Sequence, residues 1–187
     1  MLIGNYFNKV KLEYKNHYFS GINFDSRLCK KNNIFFVIRG NHFDGSKFIK
    51  DAISKGAKTI VHDKKFEGFK NKILYLSYKN VRKILAEISY KIFKSKIHNI
   101  IAVTGTNGKS SICNFYFQIL NLNKKKVASL GTLGVKTQSK NFTSTNTTMD
   151  PLQLSKYLKY LTNKKIDNII LEASSHGLKQ HRLDGLK

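Results

Sequence analysis

Ile100-Ile101-Ala102-Val103-Thr104-Gly105-Thr106-Asn107-Gly108-Lys109-Ser110-Ser111 is the stretch from which the rest of the chain can be read. An apolar, partly β-branched run enters a glycine-containing turn. After Lys109, apolar residues fall at Ile112, Phe115, Tyr116, Ile119 and Leu120, the i, i+3, i+4, i+7, i+8 spacing of a helix. Strand, loop and helix in that order frame a phosphate-binding loop, in which backbone N–H groups and the positive end of the helix receive phosphate oxygens. Lys109 would reach the β- and γ-phosphates, and the Ser110 hydroxyl would sit on Mg²⁺. The usual pattern is G-x-x-x-x-G-K-[ST], and Val103 stands where its first glycine belongs. The competing reading is an ordinary strand–turn–helix whose lysine is merely solvated.

Working outward, 187 residues allow one domain or two small ones, and a 41% apolar share suffices for a packed core. The first fifteen residues lack the apolar core of a signal peptide. No apolar run approaches the roughly 18 residues of a membrane span. Cys29 and Cys113 fit neither a disulfide framework nor a metal site, so a reducing cytoplasm is the expected setting. The formal charge of +23 is spread over the whole chain, with only short runs such as Lys124-Lys125-Lys126. Charge of this kind favours anionic ligands and speaks to non-specific binding rather than to a dedicated nucleic-acid partner.

Before the loop, Ile22–Ser26 reads as a short strand, Ile34–Ile38 as a strand buried on both faces, and Lys58–His62 and Ile73–Leu76 as two more. Between them, Asp44 or Ser46 caps a helix over Phe48, Ile49, Ala52 and Ile53 that stops at Gly56. This alternation predicts a mainly parallel α/β unit. Asn80 then caps a helix through Val81, Ile84, Leu85, Ile88 and Ile92, and a domain boundary is placed at 95/96. After the loop, Lys126–Leu130 is a strand, Gly131–Val135 a glycine-containing loop, and Phe142–Met149 a segment without helical period. Asp150 and Pro151 start a helix as N-cap and first-turn proline. Its buried stripe is Leu154, Tyr157, Leu158 and Leu161. Asn168–Leu171 is a strand ending in Glu172, followed by Ala173-Ser174-Ser175-His176-Gly177-Leu178. In an open α/β sheet, ligands bind at such strand ends.

Glu172 is placed to help hold Mg²⁺, which takes one or two carboxylates and keeps several waters. It could equally cap a turn. Ser174 and Ser175 have no legible acid–base partner, so hydrogen bonding to a polar substrate suits them better than nucleophilic attack. Asn146, Thr147 and Thr148 offer amide and hydroxyl groups, and Arg182, beside Gln180, is a fork for carboxylate or phosphate. His176 is assigned no ligand role.

Together these segments resemble the Mur ligases, whose ATP loop also lacks the first glycine of the generic pattern. Folylpolyglutamate synthases share that loop. Asp25-Ser26-Arg27, Phe36-Val37 and Gly40-Asn41-His42-Phe43-Asp44-Gly45 resemble the N-terminal UDP-sugar domain of the MurE type within that family. Asn146-Thr147-Thr148 resembles its substrate loop, and Glu172–Leu178 with Gln180-His181-Arg182 its Glu-x-Ser-Ser-His-x-Leu…Gln-x-Arg signature.

The resemblance implies a small N-terminal α/β UDP-substrate domain over 1–95. A truncated P-loop-type parallel α/β ATPase domain over 96–187 would follow it. It implies an ATP-dependent ligase acting through an acyl phosphate to add meso-diaminopimelate or L-lysine to UDP-N-acetylmuramoyl-L-alanyl-D-glutamate in peptidoglycan synthesis. Carried over residue by residue, Gly105, Thr106, Asn107, Gly108, Lys109, Ser110 and Ser111 bind ATP, with Lys109 catalytic, and Ser110 and Glu172 hold Mg²⁺. Phe24, Ser26, Asn41, His42 and Phe43 contact the UDP-sugar. Asn146, Thr147, Thr148, Ser174, Gln180 and Arg182 contact the rest of that substrate. A cytoplasmic monomer without membrane or dedicated nucleic-acid partner is implied. The domain that selects the amino acid would lie beyond Lys187, so the 187-residue chain alone is expected not to ligate. Met149, where many relatives carry proline, is expected to loosen the substrate loop. The alternatives are another amide ligase of the folylpolyglutamate synthase kind, which lacks the N-terminal domain, and a basic P-loop nucleic-acid-binding module.

Overall fold

The structure is a computed structural model that describes residues 1–40, 44–144 and 146–186. The chain divides into two compact units, Met1–Ile88 and Ser89–Lys187.

The first unit is built on a five-stranded sheet of β1 (Gly21–Asn23), β2 (Asn33–Phe36), β3 (Thr59–His62), β5 (Ile73–Ser77) and β4 (Gly68–Lys70), in that spatial order. All pairs are parallel except β4 with β5. The continuous apolar runs in β2 and β3 are buried throughout, as expected of a sheet covered on both faces. α1 (Ile49–Ser54) covers one face, with Ala52 packed against Phe35, Ile60 and Ile73. The Asp44 carboxylate accepts the Ser46 N–H at 2.9 Å and caps the short 3₁₀ turn that leads into α1. α2 (Val81–Ile92) is capped by Asn80, whose Oδ1 accepts the Lys83 N–H. β4 is an addition to the sequence reading, since three residues carry no period, and Phe69 is exposed. Ile22–Ser26 likewise divides into β1 and a 3₁₀ turn over Ser26–Leu28.

The second unit orders its strands β6 (Asn99–Val103), β10 (Asn168–Glu172), β7 (Val127–Gly131), β8 (Gly134–Thr137) and β9 (Asn141–Phe142). β6, β10 and β7 are parallel, and β8 and β9 extend the sheet antiparallel. Gly131–Val135, read from sequence as a loop, is therefore the hairpin joining β7 to β8. Gly134 permits it with φ +90°, and a Cβ there would lie 1.9 Å from the Phe142 carbonyl oxygen. α4 (Pro151–Asn163) starts as expected, with the Asp150 carboxylate accepting the Gln153 N–H at 2.8 Å. Leu154, Leu158 and Leu161 pack on Leu130, Val135, Ile169 and Leu171.

α3 (Lys109–Leu122) forms where the spacing predicted, but it turns Cys113 and Phe117 inward and leaves Ile112, Phe115, Ile119 and Leu122 exposed. Met149 does not loosen its loop, because its side chain is buried in the same core as Leu154 and Leu171. Among the described residues, no helix is long and apolar enough to cross a membrane.

Candidate functional site

The parallel strands β6, β10 and β7 end side by side, and the side chains singled out in the second unit gather at those ends. Val103 is the last residue of β6. It stands opposite Glu172 in the ladder, and its carbonyl accepts the Ala173 N–H at 2.8 Å. The position where the generic pattern asks for glycine is thus occupied by strand, where valine is a good residue. Bending begins at Gly105 (φ +150°) and Gly108 (φ +78°). Gly108 precedes α3 in the left-handed region with open space where a Cβ would be, so glycine is required by conformation rather than by crowding. Lys109 Nζ folds back on the loop and donates to the carbonyls of Gly105 (2.7 Å) and Thr106 (3.2 Å).

Glu172, at the end of β10, is only 3% exposed yet well supplied with donors. Its Oε1 accepts the Thr132 N–H at 3.0 Å, and its Oε2 accepts the hydroxyls of Ser110 and Thr132, each at 3.1 Å. Gly131 makes room for this carboxylate, since a Cβ there would meet Oε1 at 2.1 Å. The side chain does cap the β7–β8 turn through Thr132, as the alternative reading had it, and it also reaches Ser110 at the start of α3. A hydroxyl and a buried carboxylate oxygen side by side suit Mg²⁺, which takes its other ligands from water and phosphate. Among the described residues no cluster of three His, Cys, Asp or Glu side chains offers an all-protein metal cage. Burial and the Glu172 charge push the nearby Cys113 thiol up to about 11, so it is no nucleophile.

The substrate-loop candidates split by depth. Thr148 is 2% exposed, and its hydroxyl donates to the Glu172 carbonyl (2.9 Å) and accepts the Ser174 N–H (2.9 Å). Because one hydroxyl has one proton, the 3.0 Å contact between Thr148 Oγ1 and Ser174 Oγ is donated by Ser174. Ser174 Oγ in turn accepts the Gly177 N–H and caps α5 (Ser175–Lys179). These two hydroxyls pin the loop instead of facing outward. Arg182 donates from Nη1 to the Thr148 carbonyl and from Nε and Nη2 to Gln180 Oε1. Gln180 Nε2 lies 2.7 Å from His176 Nε2. Burial disfavours the Arg182 charge, and Asp150 nearby works the other way. Asn146 is exposed and Thr147 partly so.

Phe24 and Ser26 belong to the first unit. Ser26 is buried with its hydroxyl on the Asp51 carboxylate, while Phe24 is half-buried. Asn41, His42 and Phe43 lie outside the described residues. The residue that sequence reasoning missed is Thr132, which bonds Glu172 twice and also contacts Thr147 Oγ1 at 3.0 Å. Its only signal was its place between Gly131 and Gly134 in what read as a loop.

Two family models match the chain. Residues 18–91 fit "Mur ligase family, catalytic domain", and residues 103–187 fit "Mur ligase middle domain". The chain belongs to the Mur ligase family. It is 38% identical over 184 residues to the UDP-N-acetylmuramoyl-L-alanyl-D-glutamate--2,6-diaminopimelate ligase of Rickettsia montanensis, covering 96% of this chain and 38% of that protein. The Bradyrhizobium diazoefficiens ligase of the same name is 34% identical over 168 residues, covering 90% of this chain and 34% of that protein. A solved structure of a ligase of that name superposes with a TM-score of 0.78 at 29% identity, over 95% of this chain and 36% of the other. The Mur ligase fold extends to the MurF ligase of Thermotoga maritima in complex with ADP, with a TM-score of 0.53 at 20% identity over 82% of this chain and 32% of that one. The chain thus spans well under half the length of the relatives it matches.

Proposed function

We propose that this chain carries the nucleotide-binding and UDP-substrate-binding parts of an ATP-dependent amide ligase. That ligase joins 2,6-diaminopimelate to UDP-N-acetylmuramoyl-L-alanyl-D-glutamate in peptidoglycan synthesis. The observation that carries the reading is the meeting of Ser110, Glu172 and the Thr147–Thr148 loop at the ends of β6 and β10. Diaminopimelate is preferred over lysine because the matched relatives are named for it.

In this reading Lys109 exchanges the Gly105 and Thr106 carbonyls for phosphate oxygens, placing a cation where charge accumulates. Ser110 and Glu172 would hold Mg²⁺, which neutralises charge on the phosphates. Thr148, Ser174, Gln180 and Arg182 keep the substrate loop fixed, so that the acceptor carboxylate meets the γ-phosphate without loss of orientation. Thr147 and Asn146 contact it, and Phe24, Ser26 and residues 41–43 take the UDP-sugar. The protein works as a cytoplasmic monomer.

Titration of the 187-residue chain with UDP-N-acetylmuramoyl-L-alanyl-D-glutamate, with UDP-N-acetylglucosamine and single-stranded DNA as controls, tests this. Preferential binding of the first is expected, with no amide formed. Tighter, salt-sensitive binding of DNA without preference among the UDP-sugars would overturn it, as the signature of a general polyanion binder.

A further inference from the structure

Thr132 and Leu133 form the turn between β7 and β8, and this turn treats the two oxygens of the buried Glu172 carboxylate differently. Oε1 accepts the Thr132 backbone N–H at 3.0 Å. The Gly131 backbone closes on the same oxygen, since a Cβ added there would lie 2.1 Å from Oε1 and 2.5 Å from Cδ. Oε2 is turned toward hydroxyls instead, with Ser110 Oγ and Thr132 Oγ1 each at 3.1 Å. Ser110 stands in the first turn of α3. Oε2 therefore faces the phosphate-binding loop, and Oε1 faces the β7–β8 turn. The bond to Oε1 has one possible direction, because a backbone amide nitrogen only donates. It also takes nothing from the sheet: the last ladder pair of the hairpin is Gly131 with Gly134, and the Thr132 N–H lies beyond it.

We propose that Gly131 and Thr132 are positioning residues that make Glu172 a one-oxygen ligand, and that this selects Mg²⁺ over Ca²⁺ at the nucleotide. The inference rests on the ligase reading given above, in which Ser110 and Glu172 hold the cation. Ca²⁺ gathers more oxygens than Mg²⁺ and readily takes both oxygens of one carboxylate. Mg²⁺ is smaller, keeps several waters and needs only one or two carboxylates beside the phosphates. A carboxylate free to swing could meet either ion. Glu172 is not free, because the Thr132 N–H holds Oε1 and the Gly131 backbone stands against it. The chain then offers one carboxylate oxygen and the Ser110 hydroxyl. That set suits an ion that fills its remaining places with water and phosphate, and it leaves a larger ion short. Among the described residues, no cluster of three His, Cys, Asp or Glu side chains makes up the difference.

The test is calorimetric and needs no turnover. ADP is titrated into the 187-residue chain in saturating Mg²⁺ or saturating Ca²⁺, and the ratio of the two affinities is compared between wild type, Thr132→Pro and Thr132→Val. Proline removes the N–H, and Gly131 before it has no Cβ for the ring to strike. Valine removes the hydroxyl and keeps the N–H. The wild type is expected to prefer Mg²⁺ about tenfold, the lower end of what groups orienting a metal ligand are worth. Thr132→Pro should bring the ratio close to one, and Thr132→Val should keep it. A merely structural role would weaken both affinities and leave the ratio alone. If Thr132→Pro fails to fold, infrared difference spectra of the wild type with Mg²⁺ and ADP decide. The antisymmetric and symmetric stretches of Glu172, identified by their loss in Glu172→Gln, should be widely split, as for a carboxylate bound through one oxygen. A narrow splitting, the mark of two-oxygen chelation, overturns the proposal. So does a wild type that takes both cations equally, a preference that survives in Thr132→Pro, or one that is lost in Thr132→Val. In each of these outcomes ADP still binds and the ligase reading stands. A chain that binds ADP with neither cation overturns the ligase reading and this inference with it.

Discussion

β2 and β3 of the first unit are buried along their whole length, whereas β6 of the second, the strand that feeds the phosphate-binding loop, has Ile101 40% exposed and Ala102 open beside it. The strands are alike in composition and in parallel pairing. Their surroundings differ. The first sheet places β2 and β3 between neighbours, with cover on both faces. The second leaves β6 at an edge of its sheet, and α3 leaves Ile112, Phe115, Ile119 and Leu122 exposed. Buried hydroxyls show the reverse contrast. Thr59 in β3 is fully buried, and its hydroxyl has no partner among the described residues. Thr148 in the second unit is almost as deep and has three polar neighbours. Thr59 is thus held by apolar burial alone, whereas Thr148 is held by hydrogen bonds.

This contrast is broken most severely by core truncation. Phe36→Ala, at a side chain with no exposed surface, should destabilise the first unit by about 3–5 kcal/mol through lost transfer energy and a residual cavity. Ile101→Ala, the same kind of truncation at a matching strand position, should cost less than about 1 kcal/mol, because much of its surface is already in water. Hydrogen exchange followed separately in β3 and β10 peptides reads each unit by itself. Equal costs at the two positions would show that β6 is covered in solution.

The same substitution at the two buried threonines should act with opposite sign. Thr59→Val removes a hydroxyl that makes no bond and should stabilise the first unit by about 1 kcal/mol, within the range for burying an unpaired polar group. Thr148→Val strips partners from the Glu172 carbonyl and the Ser174 N–H and should destabilise the second unit by about 1–3 kcal/mol. Urea melts of both variants check the pair, and a destabilising Thr59→Val would mean that its hydroxyl is satisfied.

How legible the molecule was in sequence follows from the same contrast. Patterns that depend on local chemistry could be read directly. The Asp150-Pro151 start of α4, the buried runs of β2 and β3 and the strand ending at Glu172 are set by residues within a few positions of one another. What depends on distant partners could not. The outward face of α3 is as apolar as its inward face, so periodicity found the helix and not the side that Cys113 and Phe117 bury. β4 and β8 exist because β5 and β7 lie beside them. Thr148 and Ser174 read as substrate contacts because hydroxyls on a loop suit a polar ligand, and only the fold reveals that both protons are used internally. Thr132 was invisible for the complementary reason: its partners Thr147 and Glu172 are 15 and 40 residues away.

Acid should separate the two units more gently. In the first, burial holds the imidazoles of His17 and His62 below their ordinary value of 6.5. For His62 a backbone hydrogen bond at Phe66 and the charge of Asp63 offset part of this, while Lys64 and Arg39 add to it. A histidine whose native value is lowered is protonated more readily in the unfolded chain. Stability is therefore full above 6.5 and is lost as the pH falls below it, until the native state also takes up the proton. In the second unit the sign is opposite at Asp150, whose carboxyl is raised by burial despite the N–H groups of Gln153 and Leu152 and the nearby Arg182 and Lys156. There the native state takes up its proton first, so stability is gained as the pH falls through the raised value toward the ordinary carboxylate value of 3.8. As the pH falls from 7, opening of β3 should become easier, and any response of α4 should carry the opposite sign. His62→Asn, which keeps an acceptor for the Lys64 N–H that now bonds Nδ1 at 3.2 Å, should flatten part of that response. Hydrogen exchange followed as the pH falls reads both units in one sample, and a β3 whose protection is indifferent to pH would rule out histidine burial as its cause.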